Sequence, residues 1–129
     1  MAQIEIKDLG FKYKISDEKS LKKVSLSIEK GEFVVVCGKS GCGKTTFLRC
    51  LKPQIRPAGK IEGTVSFAGG SIEEMTDEDQ AKKIGFVMQN PEHQIVTDKV
   101  WHELAFGLEN FGEKSEYIRA KVAEIAEYF

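Results

Sequence analysis

Apolar residues along this chain alternate, run together and recur at helical spacing in turn. Ile4, Ile6 and Leu9 suggest a short first strand, which Phe11-Lys12-Tyr13 extends in alternating fashion. Val24-Ser25-Leu26-Ser27-Ile28 alternates cleanly and predicts a half-buried strand. After a turn at Lys30-Gly31-Glu32, Phe33-Val34-Val35-Val36-Cys37 is unbroken, apolar and rich in β-branched residues, the pattern of a strand covered on both faces. Ile84-Gly85-Phe86-Val87-Met88 predicts a second strand of that kind. Thr64 to Phe67 alternates again up to Gly69-Gly70, whereas Pro53 to Gly63 is rich in Pro, Gly and Lys and reads as a loop. Four helical stretches complete the pattern. Thr45 to Leu51 reads as the first turns of a helix, and Thr76 is a plausible N-cap for a short acidic helix through Lys83. After the break at Gln89-Asn90-Pro91, Val100, Leu104, Leu108 and Phe111 recur at helical spacing, as do Ile118, Val122, Ile125 and Phe129. Strands that look antiparallel, then a strand–loop–helix unit, then helices make an α/β fold with a β annex.

Composition narrows the class. The 129 residues fall in the size range of one domain, with 41% hydrophobic and 30% charged positions. The 19 basic and 20 acidic side chains leave a net charge of -1, so no basic surplus argues for nucleic acid. Five lysines between Lys12 and Lys23 are diluted by Asp17, Glu18 and apolar neighbours, and read as a solvated face. Phe33–Cys37 is the longest apolar run and is too short to cross a bilayer. Met1-Ala2-Gln3-Ile4-Glu5 lacks the basic start and apolar core of a signal peptide. Cys37, Cys42 and Cys50 show no metal-ligand spacing and read as reduced thiols of a cytosolic protein.

The chemistry concentrates in Gly38-Lys39-Ser40-Gly41-Cys42-Gly43-Lys44-Thr45, which matches G-x-x-x-x-G-K-[ST]. A phosphate chain needs several backbone N–H groups converging on one point. Gly38, Gly41 and Gly43 remove side chains from that approach and permit positive φ. The helix starting near Lys44 adds its partial positive end. Lys44 would reach the β- and γ-phosphates, the Thr45 hydroxyl would ligate Mg²⁺, and Thr46 would hydrogen-bond the α-phosphate. Cys42 has no paired base nearby in sequence, so it reads as a small residue tolerated in the loop. ATP with Mg²⁺ is the expected ligand.

With that loop in place the chain resembles the ATP-binding subunits of ABC transporters over nearly its whole length. Leu9 to Tyr13, followed by Leu21 to Leu26, is similar to the segment whose aromatic residue stacks on adenine, with Tyr13 in the stacking position. Ile84 to Gln89 resembles the strand ending in the glutamine loop. The resemblance implies that Gln89 contacts Mg²⁺ and the attacking water, a task an amide suits because its oxygen can coordinate metal or accept from water. Asn90-Pro91-Glu92-His93-Gln94-Ile95, with Ala105 to Asn110 downstream, is similar to the energy-coupling-factor and cobalt-type importers. Their ATPases carry an extra Pro-acidic-x-Gln helix facing the transmembrane coupling subunit, and Glu92 and Gln94 map to it. His93 lacks the companions of a metal site and reads as a bystander. Trp101 and Phe106 suit either a docking surface or an amphipathic core stripe.

The resemblance implies a P-loop NTPase of the ABC ATPase type: a mixed sheet, an antiparallel β annex and the start of a helical subdomain. It places the nucleotide-binding core with its annex at residues 1–88, and the glutamine loop with the start of the helical subdomain at 89–129. The family's Leu-Ser-Gly-Gly-Gln signature, its apolar strand ending in Asp-Glu and its switch histidine do not occur. The chain is therefore expected to be an N-terminal half, truncated within the helical subdomain, that binds ATP without turning it over alone. Its implied partners are a second ATPase subunit, identical or different, and a transmembrane coupling subunit on the inner face of the cell membrane. Strands Phe33–Cys37 and Ile84–Met88 would present unpaired edges, so the sheet is expected to rearrange or to pair with another copy. A soluble ABC-type ATPase and a small P-loop kinase are alternative readings; the kinase would need a lid with arginines, and only Arg49, Arg56 and Arg119 are present. A non-catalytic interaction module that keeps the fold is a further one.

Overall fold

A computed structural model describes residues 2–128; Met1 and Phe129, the latter the last position of the expected helical stripe, lie outside them. The chain divides after Gly85 into two units, each with its own core.

In the first unit the alternating segments form one antiparallel sheet. It comprises β1 (Ala2–Tyr13), β2 (Lys19–Glu29), β3 (Gly59–Phe67) and β4 (Gly70–Ser71), in the order β2-β1-β3-β4. The central strand β1 alternates its faces, so Ile6, Leu9 and Phe11 are buried while Asp8 and Lys7 are exposed. The register against β3 shifts between Lys7 and Gly10, and Asp8 takes a positive φ of 50° there. Gly63 lies opposite: a Cβ on it would fall 2.3 Å from the Asp8 carbonyl oxygen, so this bulge admits only glycine. Helix α1 (Lys44–Cys50) buries Phe47 and Cys50 in the same core as Leu21 of β2, Val65 of β3 and Ile72. Each large apolar side chain so buried contributes about 1.5–3 kcal/mol.

Helix α2 (Asp77–Lys83) begins where the sequence placed its cap: Thr76 Oγ1 accepts from the Asp79 N–H at 3.1 Å. Acidic residues fill its first turn and Lys82 and Lys83 its last, matching both ends of the helix dipole. Its buried Gln80 accepts from the Gln54 N–H (3.2 Å) and donates to the Met75 carbonyl (3.3 Å).

Three expectations need correction. Residues 59–63, expected as loop, are strand: Tyr13, Lys12, Phe11 and Gly10 pair with Gly59, Lys60, Ile61 and Glu62, and the β1 ladder overrides local composition. Phe33–Cys37 and Ile84–Met88, expected as buried strands, belong to no ladder. A strand exists only where another backbone accepts its hydrogen bonds, and no described residue offers that pairing. Several of their side chains are correspondingly exposed, Phe33 at 90%, Val35 at 72% and Val87 at 74%, while Ile84 still packs on the core.

The second unit contains a one-turn 3-10 segment (Pro91–Gln94), α3 (Val100–Asn110) and α4 (Ser115–Tyr128). Ala105 of α3 packs with Ile118 and Val122 of α4, and Leu108 adjoins them. The expected stripe on α3 is only partly inward, since Val100 and Leu104 face outward with Trp101 and Phe106. None of the described helices is long and apolar enough to cross a membrane.

Candidate functional site

The loop between Cys37 and α1 takes the conformation its glycines permit. Gly41 has φ +81° and Gly43, the N-cap of α1, has φ +100°. Both lie in the left-handed region that a side chain disfavours. A Cβ on Gly38 would meet Cys42 Sγ at 2.7 Å, and one on Gly43 would lie 3.0 Å from the Ser20 carbonyl oxygen. Ser40, at the loop's apex, and Lys39 are exposed. The Cys42 N–H donates to the Lys39 carbonyl at 3.1 Å and closes the turn.

Lys44 points back into this loop. Its Nζ donates to the carbonyls of Gly38 (2.5 Å) and Lys39 (3.0 Å), with Cys42 Sγ at 3.8 Å. The ammonium is thereby held at the centre of the turn, where a phosphate oxygen could replace one carbonyl as its acceptor. Thr45 is exposed at the start of α1, whereas Thr46 is buried. Thr46 Oγ1 lies 2.5 Å from the Tyr13 hydroxyl, and either group can donate. The Tyr13 ring meets Phe11 edge-on at 5.1 Å between centroids. A recess of about 290 Å³ beside Tyr13 is lined by Lys12, Lys14, Gly59 and Lys60.

These residues fit an anionic ligand with its metal. The glycines leave a cradle that side chains would fill, a cation sits in its mouth, and an exposed hydroxyl follows. Mg²⁺ is commonly held by one or two protein oxygens together with the substrate phosphates, so a donor set as small as Thr45 is chemically sufficient. Among the described residues no three His, Cys, Asp or Glu side chains gather as a metal site. The thiols divide by environment. Cys42 is exposed within the loop, while burial pushes the Cys50 thiol above its ordinary value against the opposing influence of Arg56 and Arg49.

Tyr13 and Gly38 to Thr46 therefore share the first unit, and the Tyr13–Thr46 bond joins two positions that the sequence reading treated separately. Gln89 belongs to the second unit, exposed in a bend after residues 84–88. Two contacts there escaped sequence reasoning. Gln94 Nε2 donates to the Phe86 carbonyl (3.1 Å) while its Oε1 accepts from the Met88 N–H (2.6 Å). The Glu103 carboxylate accepts from the N–H groups of Val96 (3.2 Å) and Thr97 (2.9 Å) and from the Thr97 hydroxyl (2.8 Å). That hydroxyl, then the Thr97 N–H, holds the Glu103 carboxyl below its ordinary range. The available signal for Gln94 was Asn-Pro opening a turn that returns a glutamine toward the preceding strand.

A family model described as ABC transporter matches residues 21–128. Among curated proteins, an ABC transporter ATP-binding protein by name from Bacillus anthracis is 44% identical over 128 residues, covering 99% of this chain and 23% of its own length. A similarly named protein of Methanosarcina mazei is 40% identical over 124 residues, with 94% of this chain and 21% of its own length covered. The chain thus spans less than a quarter of the length of these relatives. Among solved structures, CbiO1 from Clostridium perfringens, part of the ABC transporter complex CbiONQ, superposes with a TM-score of 0.75 at 24% identity, over 92% of this chain and 47% of its own. A dimeric ATP-binding cassette in a post-hydrolysis state with ADP and Pi gives 0.70 at 28% identity, over 94% of this chain and 54% of its own.

Proposed function

Since the chain belongs to the ABC transporter family of ATP-binding domains, and its fold is that of its P-loop NTPases, we propose that it is the nucleotide-binding part of an importer ATPase of the energy-coupling-factor or cobalt type. The transported substrate in this reading is a metal ion or a vitamin. One observation carries the nucleotide part: the Lys44 ammonium is held inside a turn whose glycines occupy backbone conformations that side chains disfavour.

In this reading Gly38 to Gly43 present backbone to the phosphates, and Lys44 exchanges its carbonyl acceptors for β- and γ-phosphate oxygens. Thr46 serves the α-phosphate through its first-turn N–H, its hydroxyl being taken by Tyr13, and Tyr13 offers its ring to adenine. Thr45 would hold Mg²⁺, which when bound neutralises charge on the phosphates, and the role that the family resemblance gives Gln89 is contact with that ion and with the attacking water. Catalysis of phosphoryl transfer is mostly positioning and charge stabilisation, so these residues supply the placement. The carboxylate base and a second subunit's signature segment complete hydrolysis, and neither is supplied by these residues. The partners are that second ATPase subunit and a transmembrane coupling subunit, which places the protein peripherally on the cytoplasmic face of the membrane.

Support for the importer type comes from Pro91–Gln94, which forms a discrete turn, and from the exposed Trp101 and Phe106 on α3 as a surface for the coupling subunit. The fold likeness to a component of CbiONQ points the same way. Titration of MgATP tests the nucleotide part. Lys44→Ala removes a charge-assisted contact and is expected to weaken binding about tenfold or more. Equal affinity in the two proteins would refute the loop's role.

A further inference from the structure

We propose that Gln94 is a positioning residue for Gln89, acting as a one-residue substitute for a neighbouring strand. Phe86 to Met88 belong to no ladder. On a neighbouring parallel strand, a single residue bonds the carbonyl of residue i−1 and the N–H of residue i+1. The Gln94 amide makes that same pair of bonds around Val87, to the Phe86 carbonyl at 3.1 Å and the Met88 N–H at 2.6 Å. An amide is the side chain suited to this, because it offers a donor and an acceptor side by side.

The bracket has its own support. Pro91 restricts the first position of the turn, and the His93 N–H donates to the Asn90 carbonyl at 3.0 Å, so Gln94 is delivered at a fixed point of a short loop. Beyond it, Glu103 of α3 fastens the backbone of Val96 and Thr97. Hydrogen-bonded backbone therefore runs from α3 through the turn to Met88, and Gln89 is the next residue. The backbone that leads into Gln89 is thus held by Gln94.

This rests on the reading of Gln89 as a group that contacts the metal and the water. The experiment uses the 129-residue chain with Gln89→Ala as reference, and measures ATP affinity with and without Mg²⁺ and amide exchange at Met88. Gln94→Met keeps length and removes both bonds. It is expected to raise Met88 exchange about tenfold and to reduce the gain in ATP affinity brought by Mg²⁺ by about threefold, with Mg²⁺-free affinity within about twofold. Gln94→Glu keeps the acceptor for Met88 and loses the donor to Phe86, so it is expected to fall between wild type and Gln94→Met on both readouts. Unchanged exchange in α3 and α4 separates loss of the bracket from loss of fold. Wild-type Met88 exchange and Mg²⁺ dependence in both Gln94 variants, with a lowered Mg²⁺ dependence in Gln89→Ala, would overturn the bracket alone. A wild-type Mg²⁺ dependence in Gln89→Ala would overturn the reading of Gln89 itself, and the proposal with it.

Discussion

The Tyr13 hydroxyl ties a strand end to the helix that carries the phosphate loop. Its partner Thr46 Oγ1 is buried at 2.5 Å, so removing the hydroxyl deprives a shielded polar group of a partner. Such losses amount to about 1–3 kcal/mol. The ring itself stays edge-on to Phe11 and, in the proposed reading, serves adenine through its face. Hydroxyl and ring are therefore separable. Tyr13→Phe is expected to lower thermal stability measurably while leaving MgATP affinity within about twofold, because stacking does not need the hydroxyl. Tyr13→Ala is expected to lower stability further and to weaken MgATP about tenfold, a base–aromatic stack being worth about 1–3 kcal/mol. Thermal melts and nucleotide titration on the same samples check both. An affinity loss in Tyr13→Phe as large as in Tyr13→Ala would assign the hydroxyl, not the ring, to the nucleotide.

At the scale of elements, α3 is fastened to the segment before it by one carboxylate. Glu103 accepts three short hydrogen bonds from Val96 and Thr97, and all three favour its ionised form. Its folded pKa is therefore lower than its unfolded one, near the ordinary 4.5. The contribution is complete above that ordinary value and is lost as pH falls through the depressed folded value. Amide exchange at Val96 and Thr97, compared across this acidic range after correction for intrinsic rates, is expected to accelerate on acidification. Glu103→Gln should remove that pH dependence, and a pH-dependent acceleration persisting in the variant would assign it to another group. Elements built from local rules of this kind were legible in the sequence. The eight residues Gly38 to Thr45 declare their chemistry consecutively, and Thr76 declares its helix by capping it. The strands at 33–37 and 84–88 were misread because strand formation depends on a second backbone. Gly59 to Gly63 were misread for the converse reason, since β1 supplies a partner that composition does not announce. Gln94 stayed hidden because its side chain performs a backbone's task.

For the molecule as a whole, Phe33 to Cys37 are the residues with most to gain from a partner. Val34, Val35, Val36 and Cys37 face β2 across an open groove of about 440 Å³, shared with Leu21, Val24, Leu26 and Phe47 and floored at one end by Gly43 and Lys44. Phe33 is 90% exposed and belongs to the same stretch. An apolar, charge-free segment whose backbone groups are in no ladder is a template for pairing with another backbone. Apolar exposure of this extent is uncommon on a protein that stays monomeric. This chain spans less than a quarter of the length of these relatives, so what the matching segment meets in those longer proteins is a separate matter from what it does in 129 residues. For the 129-residue chain itself the expected partner is a second copy, paired through the same residues. Sedimentation velocity over a wide concentration range should then show association. Phe33→Lys places a charge on the exposed stretch outside the groove that Lys44 lines, and should shift the sample toward monomer while leaving MgATP affinity within about twofold. A wild-type chain that remains monomeric throughout would refute pairing through residues 33–37, whose exposed backbone groups would then be met by water.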